Sequence, residues 1–291
     1  MTDTQTTPMP PLPPTPQGNP RGNGTALNIT LAVIGGLVIL TLLISSARSA
    51  FAALNRDSTT QNASVQGVGG LQITAGSGSF DLRFAKVDEA TLEVDSSNSR
   101  DWELKREGNK LVVDSPDSWD NWCFFGCGSY ENTAVLTLPE SMNDGSLDAS
   151  FELAAGDFNA VGSYKNLAIE VGAGQLDMSG TAQSAKVHLG AGRAEVSLED
   201  VKQAEFDISA GHLSGTLSGK APKKITANVS AGALELELPD DTYDLRQNVE
   251  AGDVSNLLAT DMDSPNKISV DVSAGHATFY PQDSGPGPWE R

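Results

Sequence analysis

Two cysteines, three histidines and a few clustered aspartates are the side chains of this 291-residue sequence whose types could carry chemistry. Cys123 and Cys127 are the only cysteines and lie in WDNWCFFGCGSY. A bridge closing so short a loop suits an oxidising exterior, with Trp119, Trp122, Phe124, Phe125 and Tyr130 packed around it. Two cysteines without a neighbouring histidine supply half a zinc ligand set at best. Their three-residue spacer also differs from the two-residue spacer of redox pairs. The packed bridge is the favoured reading; the alternative is that the same aromatic crowd forms an exposed binding knob, because large apolar patches on such domains mark contact sites.

His212 and His276 each directly follow an Ala-Gly pair, and His188 stands apart from them. The first two should share one column of a repeat, three coils and roughly 14 Å apart, which is too far for one metal ion. All three therefore read as exposed histidines on a solvated surface. Asp240-Asp241, and Asp261 with Asp263, fall beside Pro239 and Pro265. They offer oxygen ligands for Ca²⁺ but lack the spacing of a dedicated calcium loop, so they read as solvated turns. No serine elbow, phosphate-cradling loop or His-Glu metal motif is found. The expectation is a chain that is not an enzyme, with no catalytic residue, no metal ligand set and no cofactor. With 38 Asp plus Glu against 19 Lys plus Arg, the net charge of −19 repels phosphate and excludes nucleic acid as a partner.

What must position these residues is a repeat. Ala-Gly recurs at Gly156, Gly174, Gly192, Gly211, Gly232, Gly252 and Gly275, a period of about 20 residues. Three residues before each glycine stand Leu153, Val171, Leu189, Ile208, Val229, Val249 and Val272, and the residue before each of these is polar. That alternation is the signature of a half-buried strand. Two residues after each glycine a second apolar series begins, with Phe158, Leu176, Ala194, Leu213, Leu234, Val254 and Ala277. The alternation slips by one residue at the glycine, so the glycine should mark a corner that needs positive φ or close backbone approach, with the alanine as its small inward neighbour. A 20-residue period is too short for a βαβ unit. The fold class is all-β, a parallel β-solenoid of about 20 residues per coil preceded by one transmembrane α-helix.

The domains follow from composition. Residues 1–26 read as a disordered proline-rich tail, whose Pro10 to Pro16 stretch has polyproline character. The uncharged apolar run within 27–47 reads as one membrane-spanning helix. A signal peptide cleaved near Ala50-Phe51-Ala52 is the rival, but the apolar core is longer than such peptides use. Arg21 precedes the span while Arg48 and Arg56 follow it, too few charges to orient it; the cysteine pair favours an external C-terminal domain. Residues 48–70 read as a polar linker and 71–281 as the solenoid ectodomain. Within it, 71–149 is an irregular N-terminal part with a first copy around Ala75-Gly76 and short strands at Ala90 to Val94, Trp102 to Leu104 and Leu111 to Val113. Residues 150–281 are the regular repeats, closed by Phe279, Tyr280 and Pro281, and 282–291 form a disordered tail whose Trp289 could plug the end.

The phrases SAGHLSGTL, SAGALELEL and SAGHATFYP, with LTLPE at 136–140 and LELPD at 236–240 before a new coil, resemble the bacterial β-strand-repeat domains labelled as adhesins, a domain family of unknown function. The resemblance spans about 65–281 and departs at Glu250, where the other copies carry a small residue. It implies a parallel β-helix displayed on the cell envelope, often behind one membrane helix as in actinobacteria, and supplies no catalytic residue. The expected function is an adhesin-like binding scaffold on the cell membrane, with a cell-wall polymer or an envelope protein as partner. The alternative is a regulatory or sensory membrane protein of the envelope stress response, its tail facing the cytoplasm.

Overall fold

The computed structural model describes residues 57–96, 102–115 and 133–282, all within the compact unit Arg56–Arg291. Seven strands come first: β1 Asp57–Ala63, β2 Gly70–Ala75, β3 Ser79–Ala85, β4 Ala90–Ser96, β5 Glu103–Glu107, β6 Lys110–Asp114 and β7 Thr133–Pro139. A short 3-10 turn at Glu140–Met142 leads into β8, Leu147–Glu199, in which 53 residues stay extended through successive corners. The regular part continues with β9 Gln203–Ile208, β10 His212–Ser218, β11 Lys224–Val229, β12 Ala233–Leu238 and β13 Thr242–Val249. It ends with β14 Asp253–Asn256, β15 Ala259–Thr260, β16 Lys267–Val272 and β17 His276–Pro281. Among the described residues no helix is long and apolar enough to cross a membrane. The 27–47 segment lies outside them.

Each coil contributes one strand to each of two faces, and the strands of successive coils pair in parallel. One face carries β6, β2, the turns of β8, then β9, β11, β16 and β13. The other carries β7, β3, β8, β10, β12, β17 and β14. The two apolar series face inward between them: Leu153, Val171, Leu189, Ile208, Val229 and Val272 from the first, and Phe158, Leu176, Ala194, Leu213, Leu234 and Ala277 from the second, are all buried. Phe80 and Phe158, partners in adjacent coils, stack with centroids 5.3 Å apart, and Phe151 reaches Phe158 across the interior at 5.1 Å. Burying each such side chain stabilises the stack by roughly 1.5–3 kcal/mol.

The order of coils in space departs from their order in sequence at both ends. The C-terminal coil, β16 and β17, inserts between the β11–β12 coil and the β13–β14 coil. At the other end β2 and β3 lie between β8 and the β6–β7 coil. Phe279, Tyr280 and Pro281 therefore close the last copy in sequence but not the stack. Sandwiching a terminal coil gives its strands a hydrogen-bonding neighbour on each side, which protects them from the fraying expected of an end.

The chain can insert this way because the 257–266 crossover is fastened from beneath. Ser264 Oγ and Asn266 Nδ2 both donate to the Thr242 carbonyl, at 2.6 and 3.1 Å, and Lys223 Nζ donates to Asn266 Oδ1 at 3.0 Å. Asp244 N–H donates to the Asn266 carbonyl at 2.8 Å. Ser264 and Asn266 are buried polar residues that find these partners, as burial demands.

Three other expectations need correction. Asp57–Ala63, placed in the linker, is strand β1, paired antiparallel with β4, which is itself antiparallel to β7. With β5 antiparallel to β6, these strands flank the first parallel coil. The alanine of the repeat does not face inward: Ala173, Ala191, Ala210, Ala231, Ala251 and Ala274 are exposed, because the chain turns outward at the corner and only the glycine packs against the next coil. Val249 is 37 % exposed although its column is otherwise buried, since among the described residues no coil covers β13 on its outer side.

Candidate functional site

The seven repeat glycines stand in one column. A Cβ at Gly156 would collide with the carbonyl oxygen of Gly78, one at Gly174 with that of Gly156, and so on through Gly192, Gly211, Gly232 and Gly275 to Gly252. The column thus restates the exchanged order of the last two coils. It also corrects the first copy, where Gly78 rather than Gly76 joins the ladder. Backbone hydrogen bonds continue straight through the corner: Asp157 N–H donates to the Gly78 carbonyl at 2.9 Å, Ala233 to Gly211 at 2.9 Å, and His276 to Gly232 at 3.1 Å. Close approach here keeps successive coils in exact parallel register, so outward residues of the same position form ladders at about 4.8 Å steps.

Those ladders are the candidate binding surface. On the β9–β11–β16–β13 face one ladder reads His188, Asp207, Asn228, Asp271, Asn248 in spatial order. Carboxylate and amide alternate only because the last two coils are exchanged; in sequence order Asn228 and Asn248 would be adjacent. Asn248 Nδ2 donates to Asp271 Oδ1 at 3.1 Å, and His188 Nδ1 lies 3.7 Å from Asp207 Oδ2. Beside it, Lys186 Nζ donates to Glu205 Oε1 at 2.8 Å, which raises the lysine pKa above its ordinary value. Asn166 Nδ2 donates to Asp148 Oδ1 at 2.7 Å. Polar side chains on this face pair along the stack axis, coil to coil. These exposed contacts contribute little stability, but they fix the spacing of donors and acceptors.

A shallow groove of about 310 Å³ opens at the N-terminal end of the same face, bordered by Lys110, Asp148, Asn166, Ser184 and Lys186. It exists because Gly70 stands between Lys110 and Asp148 where neighbouring coils carry side chains. On the opposite face Asn159 Nδ2 donates to Asp81 Oδ1 at 3.0 Å, and His212 Nε2 lies 3.9 Å from Glu235 Oε1.

His212 and His276 do share a column, through His212, Ala233 and His276. Insertion of the C-terminal coil makes them two strand spacings apart, roughly 10 Å, rather than three. His188 lies on the other face. Asp240, Asp241, Asp261 and Asp263 are exposed around the last coil. Among the described residues no group of three or more His, Cys, Asp or Glu is arranged to hold a metal ion. Cys123, Cys127 and the surrounding aromatics lie outside the described residues. Sequence reading missed the Ser264–Asn266 fastening; the 23-residue step between Gly252 and Gly275, the longest in the series, was its signal.

Stacked parallel coils with polar ladders outside and one continuous apolar interior define a solenoid-like repeat scaffold. The chain belongs to the Toastrack DUF4097 family, which matches residues 70–276. Comparison with curated proteins finds no match. Among solved structures it is similar to a putative cell adhesion protein from Clostridium sporogenes, at 12% identity over 78% of this chain and 100% of that one, with a TM-score of 0.37. A putative adhesin from Bacteroides fragilis gives 12% identity, 77% and 97% coverage and a TM-score of 0.42. A putative lipid binding protein from Parabacteroides distasonis gives 14% identity, 77% and 96% coverage and a TM-score of 0.39.

Proposed function

We propose that this is a single-pass cell-envelope protein, anchored by residues 27–47, whose external solenoid is a non-catalytic, adhesin-like binding domain. The observation that carries the reading is the continuous ladder Asp207, Asn228, Asp271, Asn248. Carboxylates accept and amides both donate and accept, so the ladder offers a hydroxyl-rich or amide-rich polymer the same kind of contact at each coil. Each contact is weak in water, on the order of 0.5–1.5 kcal/mol, and a rigid row of them gains by engaging one extended ligand at several points. A cell-wall polymer fits that description; an envelope protein with an exposed extended segment is the other partner of the same class. Concavities on the described surface are shallow and suit a surface ligand better than an enclosed substrate.

The test is co-sedimentation of the detergent-solubilised chain with protein-free cell walls, with and without Ca²⁺. Saturable pelleting is expected. Absence of pelleting in both conditions would contradict a wall ligand.

A further inference from the structure

Among the described residues no further strand covers the end of the stack opposite β1. Among the described residues β13 pairs along Asp244–Val249 only with β16, and β14 only with β17; β15 reaches no further than Thr242 and Tyr243. Asp244 and Glu250 direct their N–H groups to the β16 side. The alternation of a parallel ladder therefore turns the N–H groups of Leu245, Gln247 and Val249 to the free edge. Inside that edge lies a cup of about 510 Å³, floored by Leu245 and Val254. Gln247 and Asn256 occupy inward positions that the next coil fills with Val270 and Phe279. Met262, which lines the cup, is 87 % exposed, and Leu257, next in the chain to the lining residue Asn256, is 62 % exposed.

Charge selects the occupant. Between residues 240 and 263 the one cation is Arg246, held by Asp244 at 3.0 Å. Asp240, Asp241, Glu250, Asp253, Asp261 and Asp263 are exposed and make no ion pair among the described residues; Asp261 lines the cup, and Asp253 directly precedes its floor residue Val254 in the chain. A second copy would bring the same acidic segment, 240–263, against this one. Residues 283–291 carry Asp283 and Glu290 against Arg291, the same sign again. We infer that this end binds an extended basic segment of another protein, which adds a strand to β13 and sets an apolar side chain into the cup. Main-chain bonds to an edge strand with a pocket for alternate side chains is an established mode of peptide capture. The surface is separate from the ladder face and stands whether or not that face binds a polymer.

The test is fluorescence anisotropy on the full chain in detergent micelles, with three labelled peptides: Lys-Val-Lys-Leu-Lys-Val-Lys, its glutamate counterpart, and a version with proline in place of both valines. The basic strand should bind, with affinity falling about tenfold between roughly 20 and 300 mM salt. The other two should bind at least about tenfold more weakly, one by charge and one by loss of strand hydrogen bonds. The double variant Asp253→Lys, Asp263→Lys lies on the surface and should weaken binding roughly fivefold with an unchanged unfolding midpoint. Gln247→Pro, which removes a free-edge N–H without touching the β16 ladder, should weaken it comparably. Equal binding of the acidic peptide, full affinity in the charge variant, or no binding at all would overturn the inference. So would binding that emerges only after deletion of 283–291, or sedimentation showing that a second copy holds the end.

Discussion

Replacing Gly174 by alanine probes the device that holds the coils in register. Gly174 sits in mid-stack with φ +147°, and its added Cβ would meet the backbone carbonyl of Gly156, which no side-chain rotation can move aside. A non-glycine residue in that backbone region costs about 1–3 kcal/mol, and forcing the coils apart adds about 1–3 kcal/mol of overpacking. The sum, about 2–6 kcal/mol, is a large part of the roughly 5–15 kcal/mol available to a domain. Gly145→Ala is the control: it also has positive φ, +78°, but no atom lies within 4 Å of its Cβ. Its cost should be the backbone part alone, about 1 kcal/mol. In urea, with a slope near 2–3 kcal/mol/M, the midpoint should fall by about 0.7–3 M for Gly174→Ala and by no more than about 0.5 M for the control. Circular dichroism and tryptophan fluorescence should both be followed, because repeat arrays can lose cooperativity. Gly252→Ala, on a coil that among the described residues has a neighbour on one side only, should fall between them. Equal midpoints for Gly174→Ala and Gly145→Ala would refute the close-approach account of the glycine column.

The exchanged coil order is open to paired-cysteine oxidation in a Cys123→Ser, Cys127→Ser background. Asn228→Cys with Asp271→Cys, one strand spacing apart, should cross-link readily, whereas Asn228→Cys with Asn248→Cys, two spacings apart, should not; a stack in sequence order would reverse the pair. Asn266→Ala removes bonds to Thr242 and Lys223 at a buried site, and should cost about 1–3 kcal/mol while raising amide exchange across β13 and β15. Burial pushes the Tyr164 hydroxyl well above its ordinary pKa, and its oxygen has no partner inside the stack. Its contribution is therefore fully present below the unfolded value near pH 10 and is lost as pH rises above it, at about 1.4 kcal/mol per pH unit, since the unfolded phenol ionises first. Tyr164→Phe should flatten that alkaline decline, measured by urea unfolding between about pH 9 and 11, and should gain about 1 kcal/mol at neutral pH by removing the orphan hydroxyl.

Much of the architecture was legible in the chain. The apolar positions three before and two after each glycine predicted the two inward series, and Ile208, Val229, Leu213 and Leu234 are buried as that pattern requires. What could not be read was which coil sits beside which. Every coil presents the same phrase, so Val229 packs as well against Val272 as it would against Val249; local periodicity carries no information about order. The buried fastening of Ser264 and Asn266 decides it, and a serine and an asparagine in a turn look like surface residues until their partners are known. Likewise β1 carries DSTTQNA, polar enough to pass for linker, because an antiparallel edge strand needs few apolar residues. The alternating Asp-Asn ladder was hidden for the same reason as the coil order, since it exists only in the exchanged stack.

The claim that this ladder face binds a repeating ligand is tested most directly by wall co-sedimentation of two face-specific variants. Alanine at Asp207, Asn228, Asn248 and Asp271 should lower the apparent affinity about 30-fold, taking roughly 0.5 kcal/mol for each of four lost contacts. Alanine at Glu195, Ser214 and Glu235, consecutive rungs on the opposite face, should leave binding within about twofold of the parent. Equal pelleting of both variants, or loss only in the second, would contradict the account.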